Sequence, residues 1–241
     1  MKVEGLTAAY SNLQDVHFEL KAGEILGISG LDGSGRTELL ENIFGIATKK
    51  HGTITVNGKK VNNHSPKDAI KNGFAMITEE RRASGIFSIL SVRDNTVVSS
   101  IKRYLFKNKF FLIDKKMVEA TDWSINAFNI KTPSQRTQIR SLSGGNQQKV
   151  IFGRWLLTEP QIFLLDEPTR GIDVGAKYEI YQLIINMAKE GKSIIMVSSE
   201  MPELLGICNR ILVMSNGRLA GEVMADNTTQ EEIMTLAAKY V

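Results

Sequence analysis

The sequence predicts an α/β fold built on a mainly parallel sheet, and three observations carry that expectation. An apolar run from Glu24 to Gly30 feeds a glycine-rich turn that opens into a helical pattern. A second apolar run, Phe163-Leu164-Leu165, ends on Asp166 and Glu167. Strand and helix patterns alternate on both sides of a central stretch where strand signals fade, which is the pattern of a parallel sheet interrupted by a helical insertion.

Taken in order, Leu39, Leu40, Ile43 and Phe44 recur at helical spacing after the glycine turn. Thr53 to Val61 alternates around Asn57-Gly58, the signal of a hairpin. Ser65-Pro66 with Asp68 opens a helix that Gly73 ends, and Phe74 to Ile77 returns as a strand. Between about Val92 and Leu157, Val97 to Ile101 and Val118 to Phe128 read as helices. An aromatic cluster there (Tyr104, Phe106, Phe110, Phe111) is expected to form the core of the helical lobe, with a groove for a partner's helix as the sharper alternative. Ile162 to Asp166 is then a strand, Val174 to Glu190 a helix, Ser193 to Ser198 a strand, and Arg210 to Val223 a hairpin turning at Asn216-Gly217. Thr229-x-x-Glu232 fits a capping box opening the last helix.

The 241 residues suffice for one domain with an inserted lobe. Hydrophobic residues make up 42% and charged residues 23%, the balance of a soluble globular protein. No run reaches the apolar length of a membrane span, and the N-terminus lacks the apolar stretch of a secretory signal. The single cysteine, Cys208, excludes an internal disulfide, fits a reducing compartment and reads as a small core residue. The net charge of +4 permits polyphosphate, nucleic acid or anionic membrane partners without selecting among them. Arg81-Arg82 directly follows Glu79-Glu80, so those charges are expected to cancel on a solvated face. His17, His51 and His64 lie in a strand or in polar loops and are read as structural or solvated.

The chemistry concentrates in three motifs. Gly30-Leu31-Asp32-Gly33-Ser34-Gly35-Arg36-Thr37 has the spacing of a phosphate-binding loop, with arginine where lysine is expected. Its glycines let successive N–H groups and a helix N-terminus surround a phosphate, and Thr37 offers a hydroxyl to Mg²⁺. Arginine is longer, planar and forked, so nucleotide binding is expected to survive the exchange while transition-state stabilisation loses on the order of 3 kcal/mol. Asp166, at the C-terminal end of its strand, is placed to hold Mg²⁺ through water, and Glu167 to position or deprotonate an attacking water. The third motif is Leu142-Ser143-Gly144-Gly145-Asn146-Gln147-Gln148, in which Ser143 and the N–H groups of Gly144 and Gly145 form an anion cradle at a helix start.

These motifs together resemble the ATP-binding-cassette ATPases, and the resemblance covers essentially the whole chain. It implies a P-loop NTPase with a RecA-like core, an N-terminal antiparallel β-subdomain and an inserted α-helical subdomain. The implied layout is a single nucleotide-binding domain over 1–241, with 1–91 and 158–241 as core and β-subdomain and 92–157 as helical signature subdomain. In that family the Leu142 to Gln147 signature closes on ATP held by a partner domain, and Asp173 belongs to a loop at the dimer seam. The resemblance further puts Glu79 where a Mg²⁺-reaching glutamine usually stands and Ser199 where a catalytic histidine does. Glutamate cannot donate a hydrogen bond at neutral pH, and serine cannot carry charge. Tyr10 is the one candidate for stacking adenine. Asp166 to Lys177, Ser198 to Leu204, Gly35 to Glu38, Thr78 to Arg82 and Gly153 to Leu157 are most similar to the second nucleotide-binding domain of bacterial monosaccharide importers, of the galactose/methyl-galactoside type.

That resemblance implies an ATP- and Mg²⁺-dependent ATPase powering sugar import, peripheral to the cytoplasmic face of the bacterial cell membrane. The chain would be the C-terminal half of a two-domain polypeptide. Its partners would be the N-terminal nucleotide-binding domain, the permease and, indirectly, a sugar-binding protein, with no nucleic acid. It would lend an intact signature to its partner while hydrolysing its own ATP slowly. The competing expectations are a regulatory half without hydrolysis and a non-transport relative acting on DNA or the ribosome.

Overall fold

The computed structural model describes residues 1–106 and 111–241. Its strands are β1 Lys2–Ala8, β2 Val16–Glu19, β3 Ile25–Gly30, β4 Lys49–Val56, β5 Lys59–Val61, β6 Phe74–Ile77, β7 Ile162–Asp166, β8 Ser193–Val197, β9 Arg210–Ser215 and β10 Arg218–Met224. Its α-helices are α1 Arg36–Phe44, α2 Pro66–Lys71, α3 Val92–Val97, α4 Asp114–Ala127, α5 Gly144–Leu156, α6 Val174–Lys189, α7 Met201–Ile207 and α8 Gln230–Ala237. They divide into two compact units, one of residues 1–76, 161–168 and 184–241, the other of residues 77–160 and 169–183.

The first unit holds two sheets. The antiparallel sheet has the order β2-β1-β4-β5, and the larger sheet β10-β9-β3-β8-β7-β6. Within the larger sheet β9, β3, β8 and β7 are parallel neighbours, while β10 returns antiparallel to β9 through Asn216-Gly217. The central strands read as continuous apolar runs because both of their faces are covered: β7, β8 and β9 are buried throughout. Register puts Ile28 opposite Val197 and Val197 opposite Asp166, so the chain after β3, β7 and β8 emerges at one edge of the sheet. That is the carboxyl edge, where open α/β sheets carry their ligands.

α1 anchors the glycine turn to this sheet. Leu39, Leu40 and Ile43 are fully buried, each worth about 1.5–3 kcal/mol. That outweighs the entropy lost in ordering the turn glycines, about 0.5–1 kcal/mol apiece. α2 starts as the sequence predicts: Ser65 caps it by accepting from the Asp68 N–H, and Pro66 stands in its first turn. At α8 the expected capping box is half formed. Thr229 accepts from the Glu232 N–H, but the Glu232 carboxylate accepts from the Thr228 hydroxyl instead of reaching back to the cap.

The second unit is mostly helical. α4 and α5 cross at Gly153, where an added Cβ would collide with Ser124. Val97, Tyr104 and Met117 form a small core with Ile101 and Ala120 against it. The aromatic cluster therefore divides, correcting the expectation that it is all core. Tyr104 is buried, but Phe106 and Phe111 are 54% and 69% exposed, joined by a backbone bond from the Phe106 N–H to the Phe111 carbonyl. Phe110 lies outside the described residues. Deeper in the unit, Arg154 spends its guanidinium on Asn95 O, Asn95 Oδ1 and Gly85 O at 2.6, 2.9 and 2.6 Å, and burial pushes its pKa down to about 10.

Candidate nucleotide-binding site

In the first unit the turn Gly30 to Thr37 links β3 to α1. Gly30 has no room for a side chain: a Cβ there would stand 2.5 Å from Ser34 Oγ and 2.6 Å from the Met214 carbonyl. Gly35, at φ +98°, forms the left-handed N-cap of α1. The turn is held from outside through its carbonyls, Ser34 O accepting from the Gly217 N–H at 2.9 Å and Gly33 O from Asn12 Nδ2 at 3.4 Å. The N–H groups of the first turn of α1 have no intrahelical acceptor and remain for a ligand. Ser34 Oγ is buried without a partner among the described residues, and an added Cβ at Gly33 would meet nothing within 4 Å. Leu31 and Asp32 form the outer part of the turn, Asp32 fully exposed.

Asp166 is 1% exposed at the end of β7. Burial above all pushes its carboxyl up to about 6; the Thr37 hydroxyl and Arg36 guanidinium oppose that, and Glu167 and Glu41 add to it. Among the described residues neither carboxylate oxygen has a hydrogen-bond partner of sound geometry, although the Thr37 hydroxyl is close enough to favour the anion. A buried carboxylate without a donor is costly and asks for a cation or its waters. One carboxylate and one hydroxyl do not make a protein cage, and no cluster of three His, Cys, Asp or Glu side chains exists among the described residues. This donor set fits Mg²⁺ that arrives on polyphosphate and keeps most of its ligands as phosphate and water.

Glu167 takes a left-handed backbone, φ +47°, at a cost of about 1–2 kcal/mol, and its N–H is held by Val197 O at 3.1 Å. Its carboxyl is raised, chiefly by burial, against the side-chain and backbone hydrogen bonds from Ser199 and the charge of Arg36. The Ser199 hydroxyl donates to Glu167 Oε2 at 3.2 Å. Arg36 Nη2 pairs with Asp32 Oδ1 at 3.2 Å, reaching back from the first residue of α1 to the glycine turn. The first unit thus gathers Thr37, Arg36, Asp166, Glu167 and Ser199 around the glycine turn. Tyr10, on the loop after β1, is 92% exposed.

Glu79 belongs to the second unit, with its carboxylate ion-paired to Arg170; Glu80 lies 3.9 Å from the same guanidinium. This corrects the expectation that Glu79 and Glu80 neutralise their neighbours on a solvated face. Arg81 instead turns inward. Its Nη1 donates to Arg170 O at 3.3 Å, its Nε is buried without a partner among the described residues, and its pKa is lowered by burial first and by Arg82 second.

The signature motif opens α5. Ser143, exposed, is the N-cap, its hydroxyl accepting from Asn146 Nδ2 at 2.9 Å and from the Asn146 N–H at 3.5 Å. Asn146 Oδ1 accepts from the Lys131 N–H at 2.7 Å. Leu142 is 9% exposed, and Gln147, 3% exposed, points inward to Ile139 O and Leu142 O. Gln147 therefore shapes the turn and is no outward phosphate contact. Gly145 is buried, with an added Cβ 2.5 Å from Ala176 Cβ in α6. Asp173 caps α6 by accepting from the Ala176 N–H at 3.0 Å, and Val174 and Tyr178 beside it are 85% and 63% exposed. Sequence reasoning missed Arg170, and it missed the buried Lys149, which pairs with Glu179 and bonds Asn129 O at 3.1 Å.

Residues 13–170 match the family described as ABC transporter. The chain belongs to this ABC transporter family. It is 63% identical to the galactose/methyl galactoside import ATP-binding protein MglA of Fusobacterium nucleatum, over all of this chain and 48% of that protein. It is 60% identical to the protein of the same name in Haemophilus influenzae, with the same coverage. The chain thus spans about half the length of the curated relatives it matches. Among solved structures it superimposes on cbiO1 of Clostridium perfringens, part of the ABC transporter complex cbiONQ, with TM-score 0.78 at 25% identity, covering 97% of this chain and 91% of that one. The ATP-binding cassette MJ0796, bound to ADP and Pi, matches with TM-score 0.79 at 20% identity over 94% and 99% of the two chains, a likeness of fold. The α/β core with a helical subdomain is thus the ABC ATPase fold, and no described helix is long and apolar enough to cross a membrane.

Proposed function

We propose that this chain is the C-terminal ATP-binding and ATP-hydrolysing domain of a bacterial monosaccharide importer, the sugar being galactose or a methyl-galactoside. Support for the sugar comes from the names of the relatives above, and for the choice of half from the pattern of altered residues. The reading takes 1–241 as one nucleotide-binding domain with 92–157 as its helical subdomain, attached peripherally to the cytoplasmic face of the membrane. The exposed Phe87, Ile89, Phe106 and Phe111 offer apolar surface to a permease. An N-terminal nucleotide-binding domain and, indirectly, a sugar-binding protein complete the assembly.

The mechanism is built from the residues. First-turn N–H groups of α1 would hold the nucleotide's phosphates, Thr37 and Asp166 would hold its Mg²⁺, and the charge of Arg36 acts on both Asp166 and Glu167. Held there, Mg²⁺ would supply neutralisation of the charge developing on the phosphates. Glu167 orients or deprotonates the attacking water, with Ser199 holding its carboxylate in place. Ser143 and the Gly144 N–H, at the exposed start of α5, serve a nucleotide presented by the partner domain, with Asp173 at the seam.

The observation that carries this reading is the contrast between the two ends. The phosphate turn carries a forked Arg36 bridged to Asp32, with a neutral Ser199 opposite, while the signature cap is whole and exposed. Turnover in the complete transporter tests it. Ser143→Arg should abolish turnover and Arg36→Ala should only reduce it; the reverse result would sink the assignment. The Arg36–Asp32 pair also favours a second reading, a regulatory half that binds ATP without hydrolysing it. ATP binding and hydrolysis measured on the isolated chain separate the two.

A further inference from the structure

Arg81 occupies an unusual position for a surface-loop arginine. It begins a one-turn π-helix, Arg81–Gly85, an uncommon backbone conformation. The two acids preceding it are engaged by Arg170. Its guanidinium lies in a three-way contact. Nη1 donates to Arg170 O, and a Cβ on Gly144 would stand 3.0 Å from Nη2 and 3.2 Å from Gly171 O. Nε is buried without a partner among the described residues. The side chain as a whole is only partly buried, but its enclosed Nε lacks a hydrogen-bond acceptor among the described residues, a local cost that packing alone does not require. What the guanidinium supplies instead is a fixed, planar spacer between two backbone segments, the signature turn and the loop 169–173.

Three further contacts make those segments a single assembly. Gly145 packs directly on Ala176, Lys149 pairs with Glu179, and Arg170, whose carbonyl Arg81 holds, is itself pinned by Glu79 and Glu80. All of these residues belong to the second unit.

We infer that Arg81 is a positioning residue: it sets the separation between the signature turn at Ser143-Gly144 and the Arg170–Asp173 loop, so that both meet the partner's nucleotide together. The inference rests on the proposed reading that the signature serves a partner-bound nucleotide. It also gives Gly144 a reason to be glycine apart from phosphate contact, because an added Cβ would press on both the guanidinium and Gly171 O, at 3.0 and 3.2 Å.

The test uses the complete transporter containing this chain, with Arg81→Met, Arg81→Lys and Ser143→Arg measured for ATP turnover, KM for ATP and thermal midpoint. Arg81→Met should lower kcat about tenfold, the scale of a displaced rather than deleted group, with KM within about twofold and the midpoint unchanged. Arg81→Lys should recover part of kcat, since one ammonium donor can still reach Arg170 O. If Ser143→Arg abolishes turnover while Arg81→Met leaves kcat intact, the positioning role is overturned and the parent reading stands. If Ser143→Arg leaves turnover intact, both fall. A lowered midpoint in Arg81→Met, with kcat restored on cooling, would reduce Arg81 to a packing residue and overturn the inference as well.

Discussion

The Ser199 hydroxyl donates a 3.2 Å hydrogen bond to Glu167 Oε2, across the gap between the loops that follow β7 and β8. This bond fixes which way the carboxylate faces while burial opposes its charge. The two residues should therefore separate by mutation. Glu167→Gln removes the proton acceptor and should cut hydrolysis at this chain's site roughly 10²–10³-fold with ATP binding retained. Ser199→Ala removes one hydrogen bond, about 1 kcal/mol, and should cost no more than about fivefold. Single-turnover hydrolysis with ATP titrated in parallel measures both. Equal losses would mean that Ser199 carries chemistry and not orientation.

Arg36 is bridged to Asp32, whose side chain is fully exposed while that of Arg36 is 11% exposed. A pair with one partner in water contributes little to stability, about 1 kcal/mol at most. Arg36→Lys should therefore leave the thermal midpoint nearly unchanged. Hydrolysis by the isolated chain should rise about tenfold or more, because a compact ammonium suits the crowded phosphates better than a fork held by Asp32. The Kd for ATP should move less than about threefold, since backbone donors do most of the holding. Steady-state ATPase and nucleotide titration on the two proteins decide it; an unchanged or lower rate would refute the steric account.

The parts of this site that the sequence made legible are those fixed by short-range spacing. The turn Gly30 to Thr37 needs glycines at set positions to wrap backbone around a phosphate. Asp166 is announced by the apolar strand that delivers it, and Ser143 by the helix it caps. What stayed hidden depends on pairs distant in the chain. Glu79 and Arg170 meet only in the folded unit, as do Arg210 and Glu24 in the other, and nothing local foretells either partner. Adjacent opposite charges suggested self-cancellation at 79–82, but consecutive side chains on a turn diverge, and the acids found Arg170 while Arg81 turned inward. The Phe106 and Phe111 side chains went the same way: local hydrophobicity says what could be buried, while the packing of α4 on α3 decides what is.

Gly145 lies against Ala176 so closely that an added Cβ would sit 2.5 Å from Ala176 Cβ. Gly145→Ala should then destabilise the chain by about 1–3 kcal/mol, as overpacking at a rigid crossing does. Ala176→Gly alone should cost about 0.5–1 kcal/mol through helix entropy. The double variant should be more stable than the sum of the two single losses predicts, because the second change opens the space that the first one fills. Urea unfolding of the four proteins gives the coupling directly. Strict additivity would mean that α5 and α6 can part without penalty.

Cys208, the sole cysteine, lies where an added Cβ on Gly27 would stand 3.0 Å from its Sγ, and burial pushes its thiol up to about 12, with Glu203 adding. Two consequences share one sign. In the folded chain the thiolate is scarce at pH 8, so alkylation by iodoacetamide should run about 10³-fold slower than in urea and rise about tenfold per pH unit up to at least pH 10. Between the ordinary thiol pKa and about 12 the unfolded chain loses this proton while the folded chain keeps it, so the unfolded state binds fewer protons and stability falls as pH rises. The thermal midpoint should accordingly drop between pH 8 and pH 10, and Cys208→Ala should flatten that slope while leaving the midpoint at pH 7 lower by the small packing loss. Mass spectrometry of alkylation and paired melting curves test the two arms. Cys208 is partly exposed as a residue, so rapid labelling of the native chain at pH 8 would mean that its thiol is not held up by desolvation, and an unchanged slope in Cys208→Ala would assign the alkaline loss to other groups.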